Sequence, residues 1–126
     1  MSGRWLRPWL LLGGWMLVIF GVSSLPDLGT SGVEAPGLDK IFHMCEYGVL
    51  GFLYARAGLT DAGRWRSAWG GALVGLVVGS LDELYQGTVP GREVDVLDTC
   101  ADVAGAALGA LARRAWTRRR QSHMLP

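Results

Sequence analysis

Asp39, His43 and Glu46 lie four and three residues apart, which puts two acids and an imidazole on one face of a helix. Asp82 and Gln86 share a face in the same way, with Glu83 beside them, and Asp95, Asp98 and Asp102 follow a three-then-four spacing. A bundle that turned these faces inward would gather the acids, the imidazole, the Gln86 amide, Lys40 and Arg92 into one cavity. So many carboxylates cannot all stay charged side by side. Lys40 and Arg92 offset part of the charge. Protons, a divalent cation or a cationic ligand would have to offset the rest.

Each residue has a functional and a structural reading. A neighbouring carboxylate can move an imidazole pKa across physiological pH, which makes His43 the candidate general acid or base. Its structural alternative is a hydrogen-bonded imidazole inside the bundle. Asp82 and Glu83 are candidates to bind a cation or take a proton from a substrate; alternatively they pair with Lys40 or Arg92 and hold the helices in register. His43 and Glu46 are spaced to reach one ion, and the candidate metal ligands are Glu46, Asp82 and Glu83. With imidazole sparse, the expected ion is a hard, oxygen-bound one rather than zinc. Arg92 could hold a phosphate or carboxylate through two parallel bonds, or pair with Asp95 or Asp98. Gln86 reads as a hydrogen-bonding member of the network.

These residues need elements to position them. The chain has 126 residues, half of them hydrophobic, with 19 glycines, a composition that suits close helix packing in lipid. Four segments read as helices, at about 8–25, 38–57, 67–86 and 94–112, giving an all-α membrane protein with a four-helix transmembrane bundle. Pro8 suits a first helical turn, and Pro26 closes the first segment. A cleaved signal peptide competes with a retained helix there, but the apolar stretch is long for one. Gly87, Pro90 and Gly91 make a tight turn between the third and fourth helices. Gly71, Gly75 and Gly79, with Gly105 and Gly109, give the third and fourth helices faces that can approach closely.

Charge fixes the orientation. Except for Lys40 and Arg92, the 12 basic residues sit at one set of helix ends; except for Asp61, the 11 acidic residues sit at the other. Basic excess marks the cytoplasmic side, so both termini are expected there, in a multi-pass plasma-membrane protein with its acidic cavity facing outward. Trp5, Trp9, Trp65, Trp69 and Trp116 form an interfacial belt at the cytoplasmic ends, while Trp15 lies mid-span. A soluble helical bundle would leave the charge alternation as coincidence. Cys45 and Cys100 read as small buried residues, with a disulfide between the second and fourth helices as the alternative. The one basic cluster is C-terminal and sets topology; nothing suggests nucleic-acid binding.

The segments LDKIFHMCEYGVLG, LDELYQGTVPGREVDVLD and ADVAGAALGAL resemble the three blocks of VanZ-like membrane proteins. That family's pattern reads D-K-x-x-H-x-x-x-Y, then D-E-x-x-Q, a turn, R-x-x-D-x-x-D and a small-residue helix. It is met by Asp39, Lys40, His43, Tyr47, Asp82, Glu83, Gln86, Arg92, Asp95 and Asp98. Asp102 stands where the family usually carries Asn. The resemblance implies a four-helix membrane protein related to teicoplanin resistance, with Tyr47 joining Asp39, Lys40, Gln86, Arg92, Asp95 and Asp98 as binding residues. The expected function is binding of an envelope-lipid headgroup or a lipid-linked cell-wall precursor by the outer pocket, with membrane lipids as partners. The alternative is a metal-assisted enzyme on a phosphate- or ester-linked lipid, with His43, Asp82 and Glu83 catalytic. A divalent cation is the one cofactor considered. A transporter fits poorly, because the inner helix halves are apolar.

Overall fold

The computed structural model of the chain describes residues 6–26, 37–58 and 64–123. Among them are four helices and no strand: α1 (Leu6–Ser23), α2 (Leu38–Gly58), α3 (Arg64–Gln86) and α4 (Val96–Ser122). Asp27, Glu34, Asp61, Arg4 and Trp5 lie outside the described residues. α3 starts at Arg64, before the expected Ser67, and α4 runs well past the expected Ala112. Arg113, Arg114 and the run Arg118 to Arg120 thus stand on a helix. Arg and Ala are strong helix formers, and the basic side chains of the last turn suit the negative end of the helix dipole.

Neighbours in sequence run antiparallel, and α2 and α4 run parallel. Gly58 at the end of α2 lies near the Trp9 ring at the start of α1, whereas Gly105 and Gly109 of α4 meet Met44 and Gly48 of α2 in the same chain direction. The α3–α4 turn contains Gly91 at φ 80°, a backbone conformation that favours glycine. α4 is the hub, packed along both α2 and α3, and α1 rests on α2 and α3.

Glycine allows these contacts. A Cβ on Gly71 would come 2.6 Å from the Ala106 carbonyl oxygen, and Gly75 and Gly79 face α4 equally closely. The expected α4 partner face is corrected, however. Gly105 and Gly109 press on α2, where a Cβ on Gly109 would collide with the Gly48 carbonyl. α4 therefore has two small-residue faces. Asp102, Val103, Ala106, Ala107 and Ala110 meet the glycines of α3, and Gly105 and Gly109 meet α2.

Polarity is distributed inside out. Ser23, Asp82, Glu83, Gln86, Asp98 and Asp102 are buried, while Leu10, Leu17, Trp69, Leu84, Val96 and Leu97 point outward. The apolar core is small, formed by Leu12 and Ile19 of α1, Tyr47 and Leu50 of α2, Val78 and Ala106. Among the described residues, α1 is the one helix both long and apolar enough to cross a membrane by composition. Trp9, Trp65, Trp69 and Trp116 are exposed at the basic end, whereas the Trp15 indole donates to the Glu46 carbonyl at 2.9 Å. Cys45 and Cys100 are free and exposed, which corrects the expectation that both are buried. Their helices bury glycine, alanine and polar faces, so the thiols fall on the outward sides.

Candidate functional site

The site begins where α4 begins. Asp95 is the N-cap of α4, its Oδ1 accepting from the Leu97 N–H at 2.8 Å. That satisfies one of the backbone donors a helix start leaves unpaired. The second Asp95 oxygen accepts from Lys40, and the Asp95 N–H donates to Glu83 Oε2 at 2.8 Å. One residue thus joins the starts of α2 and α4 to the end of α3. Asp95 stands ahead of its helix, and the Lys40 ammonium holds its carboxyl below the ordinary carboxylate range.

Lys40 is the cationic centre of this end. It donates to Asp39 at 2.8 Å, to Asp98 Oδ1 at 2.5 Å and to Asp95. Asp39 lies outermost and exposed, Asp98 is buried, and Lys40 spans the rim between them. Charge-assisted bonds of this kind are roughly twice as strong as neutral ones.

One turn further into the bundle, His43 Nδ1 meets Asp102 Oδ1 at 2.8 Å. With Asp102 ionised, Nδ1 carries the proton, and Nε2 is directed at Asp98 Oδ2 across 3.7 Å, too far for a hydrogen bond. The Asp102 carboxylate fits because α3 has glycine opposite it: a Cβ on Gly79 would come 2.6 Å from Asp102 Oδ2. Gly79 therefore serves the site as well as the helix contact. Tyr47 is fully buried one turn along α2, its ring parallel to that of His43.

A third cluster ties in α1. Gln86 Nε2 donates to Asp82 Oδ2 at 3.0 Å and to Ser23 Oγ at 3.3 Å. Nearby, the Ser24 and Tyr85 hydroxyls share a hydrogen bond of 2.7 Å. Among the described residues, four oxygens in this polar interior lack a hydrogen bond of good geometry: Tyr47 Oη and Asp82 Oδ1, whose side chains are close enough to interact with each other, and Glu83 Oε1 and Asp102 Oδ2. Buried polar groups are nearly always paired, and an unpaired one costs roughly 1–3 kcal/mol, more if charged. The interior is chemically incomplete as a protein-only network.

Of the residues picked out in the sequence, Asp39, Lys40, His43, Asp82, Glu83, Gln86, Asp95 and Asp98 come together at this end. Arg92 has a different partner from the one expected. Its Nε donates to the Leu25 carbonyl at 3.2 Å, and the ion pairs with Asp95 and Asp98 belong to Lys40. Lys40 is closer because it enters from α2, beside the start of α4. Glu46 is half-buried and makes its hydrogen bond through its backbone carbonyl. Among the described residues, two sets of three offer ligand atoms within 4.8 Å of one another: His43, Glu83 and Asp98, and Asp39, Asp95 and Asp98. Of the expected metal ligands, Glu83 and His43 belong to the first set, and Glu46 and Asp82 belong to neither. Ser23 joins the network without being among the expected site residues; its signal in the sequence is a hydroxyl at the end of an otherwise apolar helix.

A family model described as VanZ/LLP1 matches residues 14–117, and the chain belongs to that family. The matched span runs from α1 into α4 and includes every site residue named above. No curated protein and no solved structure matches the chain.

Proposed function

We propose that this VanZ/LLP1-family protein crosses the plasma membrane four times and uses its polar end as an outward-facing pocket. The pocket takes the charged headgroup of an envelope lipid or a lipid-linked cell-wall precursor, and through it the protein contributes to teicoplanin-type tolerance. The observation that carries this reading is the set of buried oxygens without a well-formed hydrogen bond on Tyr47, Asp82, Glu83 and Asp102. They lie within a bundle whose outer faces are apolar on all four helices.

Three features support the membrane part. Outward Leu, Val and Trp side chains on α2, α3 and α4 form a surface too apolar for water. At ~1.5 Å per residue the helices reach roughly 27–40 Å, against a hydrocarbon core of about 30 Å. The acids of α3 and those within α4, Asp82, Glu83, Asp98 and Asp102, are buried in the interior, where ionisable residues of membrane bundles belong. The basic ends carry Arg7, Arg56, Arg66, Arg113 and Arg114, so the same rule that places arginines in the cytoplasm turns the acidic end outward.

For the ligand, the chemistry is two-signed. The unpartnered carboxylate oxygens suit an ammonium group. Arg92, at the rim and outside the Lys40 ion-pair cluster, suits a phosphate or carboxylate. Zwitterionic headgroups present both. The test is equilibrium binding of headgroup-bearing lipids to the purified protein in nanodiscs, alongside glycopeptide susceptibility of cells producing it. Arg92→Ala and Asp82→Asn that fold normally should each weaken lipid binding about tenfold and lower teicoplanin tolerance. Unchanged binding in both variants rejects the pocket. A metal-assisted lipid enzyme is the second reading, favoured by the His43–Asp102 pair, which holds the imidazole as a general base requires. Release of headgroup from a labelled lipid, lost in His43→Gln, would establish it.

A further inference from the structure

We infer that His43 Nε2, Glu83 and Asp98 form a site for one divalent ion of the mixed nitrogen–oxygen class, zinc or manganese. Each helix of the α2–α3–α4 core contributes one ligand, and each ligand is fixed by a bond on its other atom. His43 is held through Nδ1 by Asp102, which leaves Nε2 as the donor. Glu83 is held through Oε2 by the Asp95 N–H, which leaves Oε1 buried and without a partner. Asp98 is held through Oδ1 by Lys40, which leaves Oδ2 facing His43 Nε2 across 3.7 Å. All three residues offer atoms within 4.8 Å of one another.

The gap fits an ion. Ligand atoms about 2.1 Å from a metal can stand up to ~4.2 Å apart. A separation of 3.7 Å therefore seats an ion between Nε2 and Oδ2 without moving either residue. The same distance is too long for the His43–Asp98 hydrogen bond that would otherwise fill it. A carboxylate on the far nitrogen of a ligating histidine is the usual support of such sites, since it sets the tautomer and turns the ring. Asp102 supplies it here. The independent sign of a ligand is Glu83, only 3% exposed, with an oxygen that has no hydrogen-bond partner among the described residues.

The choice of ion follows from the donors. The expectation from sequence was a hard, oxygen-bound ion, with His43 and Glu46 spaced to reach it beside Asp82 and Glu83. The set inferred here keeps His43 and Glu83 and adds Asp98, and imidazole with carboxylate suits zinc or manganese better than magnesium or calcium. The inference concerns a resident ion and stands whether or not a headgroup binds; with Nε2 on the ion and Nδ1 on Asp102, His43 is a ligand and the general-base role is excluded.

The experiment uses the full-length protein in detergent, stripped with chelator, then titrated separately with zinc, manganese, magnesium and calcium chloride. Bound metal after desalting and the melting temperature are both read. One zinc or manganese per chain and a saturating rise in melting temperature are expected, since an ion bound only to the folded state stabilises it by mass action. His43→Gln and Glu83→Gln should retain less than a tenth of the metal. Asp102→Asn should keep the stoichiometry with affinity lowered 10–100-fold. Glu93→Gln, an exposed acid outside the site, should behave as the parent. Should a variant fail to fold, electron spin-echo spectra of the manganese-loaded parent decide the matter: coupling to an imidazole nitrogen supports the site, and its absence overturns it. Melting indifferent to all four ions and to chelator, or metal retained in both His43→Gln and Glu83→Gln, also overturns it. A stripped protein that gains stability only as pH falls means the buried carboxylates share protons instead.

Discussion

Replacing Lys40 by methionine keeps most of the stem and removes the ammonium that three carboxylates share. The three bonds are not equal. Asp39 and Asp95 lie at the open end, with side chains 60% and 41% exposed, and solvent screens their pairs with Lys40. Asp98 is 12% exposed and its bond to Lys40 is 2.5 Å, so its loss dominates. A hydrogen bond to a charged group is worth about 1.5–3 kcal/mol, and Lys40→Met should destabilise the protein by about that much at neutral pH. Asp39→Asn, removing only the most exposed partner, should cost under about 0.5 kcal/mol. The assay is reversible unfolding in mixed detergent, comparing each variant with the parent from pH 7.5 down to pH 3.5. Asp95 shows which way pH acts. Its carboxyl is held below its ordinary value by Lys40, so its contribution is present above the unfolded-state pKa and lost as pH falls through the folded one. The gap between Lys40→Met and the parent should therefore narrow at the acid end. A variant within about 0.5 kcal/mol of the parent at pH 7.5, or a gap that widens with acid, would falsify the role given to Lys40 as the centre of this cluster.

Three other outcomes follow from the packing and the charge pattern. Gly109→Ala should destabilise by at least about 1–3 kcal/mol, because a Cβ there enters the Gly48 backbone, while Gly13→Ala, with nothing within 4 Å, should be neutral; equal effects in unfolding assays would refute the close α2–α4 contact. Reporter fusions after Pro26 and Gly87 should read as external and those after Gly58 and His123 as cytoplasmic, and the reverse pattern would turn the pocket inward. Cys45 and Cys100, free and on outward faces, should both react with a membrane-permeant maleimide without prior reduction, whereas a band shift that requires reductant would indicate a disulfide.

The helices themselves were legible because their apolar stretches and breakers are local signals. The turn at Gly87 to Gly91 and the inward sharing of Asp82, Glu83, Gln86, Asp98 and Asp102 followed from spacing along a helix. What spacing could not settle was which helix each face meets. Gly105 and Gly109 suggested the glycines of α3 as partners, but they pack on α2, because α4 lies between two helices and has a small face for each. Cys45 and Cys100 were misplaced for a related reason: in a bundle with polar faces inside, a small apolar side chain has no preference for the interior. Arg92 and Lys40 carry the same charge at the same end, and only the tertiary arrangement shows that Lys40 takes Asp95 and Asp98 while Arg92 braces the end of α1. Asp95 lay on the expected helix face by count, yet it caps the helix from outside.

The small residues and the polar ones are parts of one device. Asp102 reaches His43 at 2.8 Å only if α4 lies close to α2, and that approach rests on Gly48, Gly51, Gly105 and Gly109, where backbone meets backbone. Asp102 can be buried at all only because Gly79 of α3 leaves room for its carboxylate. A spread of 1 Å between α2 and α4 would turn that hydrogen bond into a gap of nearly 4 Å, longer than any useful bond. It would also widen the His43–Asp98 gap beyond what one ion could bridge. The glycines of α2 and α4 thus set the distances on which the chemistry at the acidic end depends. A larger side chain at Gly105 or Gly109 should therefore disturb the His43 environment before it unfolds the bundle. That order is measurable, since the imidazole resonances of His43 should shift in a protein whose helix content is unchanged. Loss of helix content with no prior change at His43 would show that the two parts are separable.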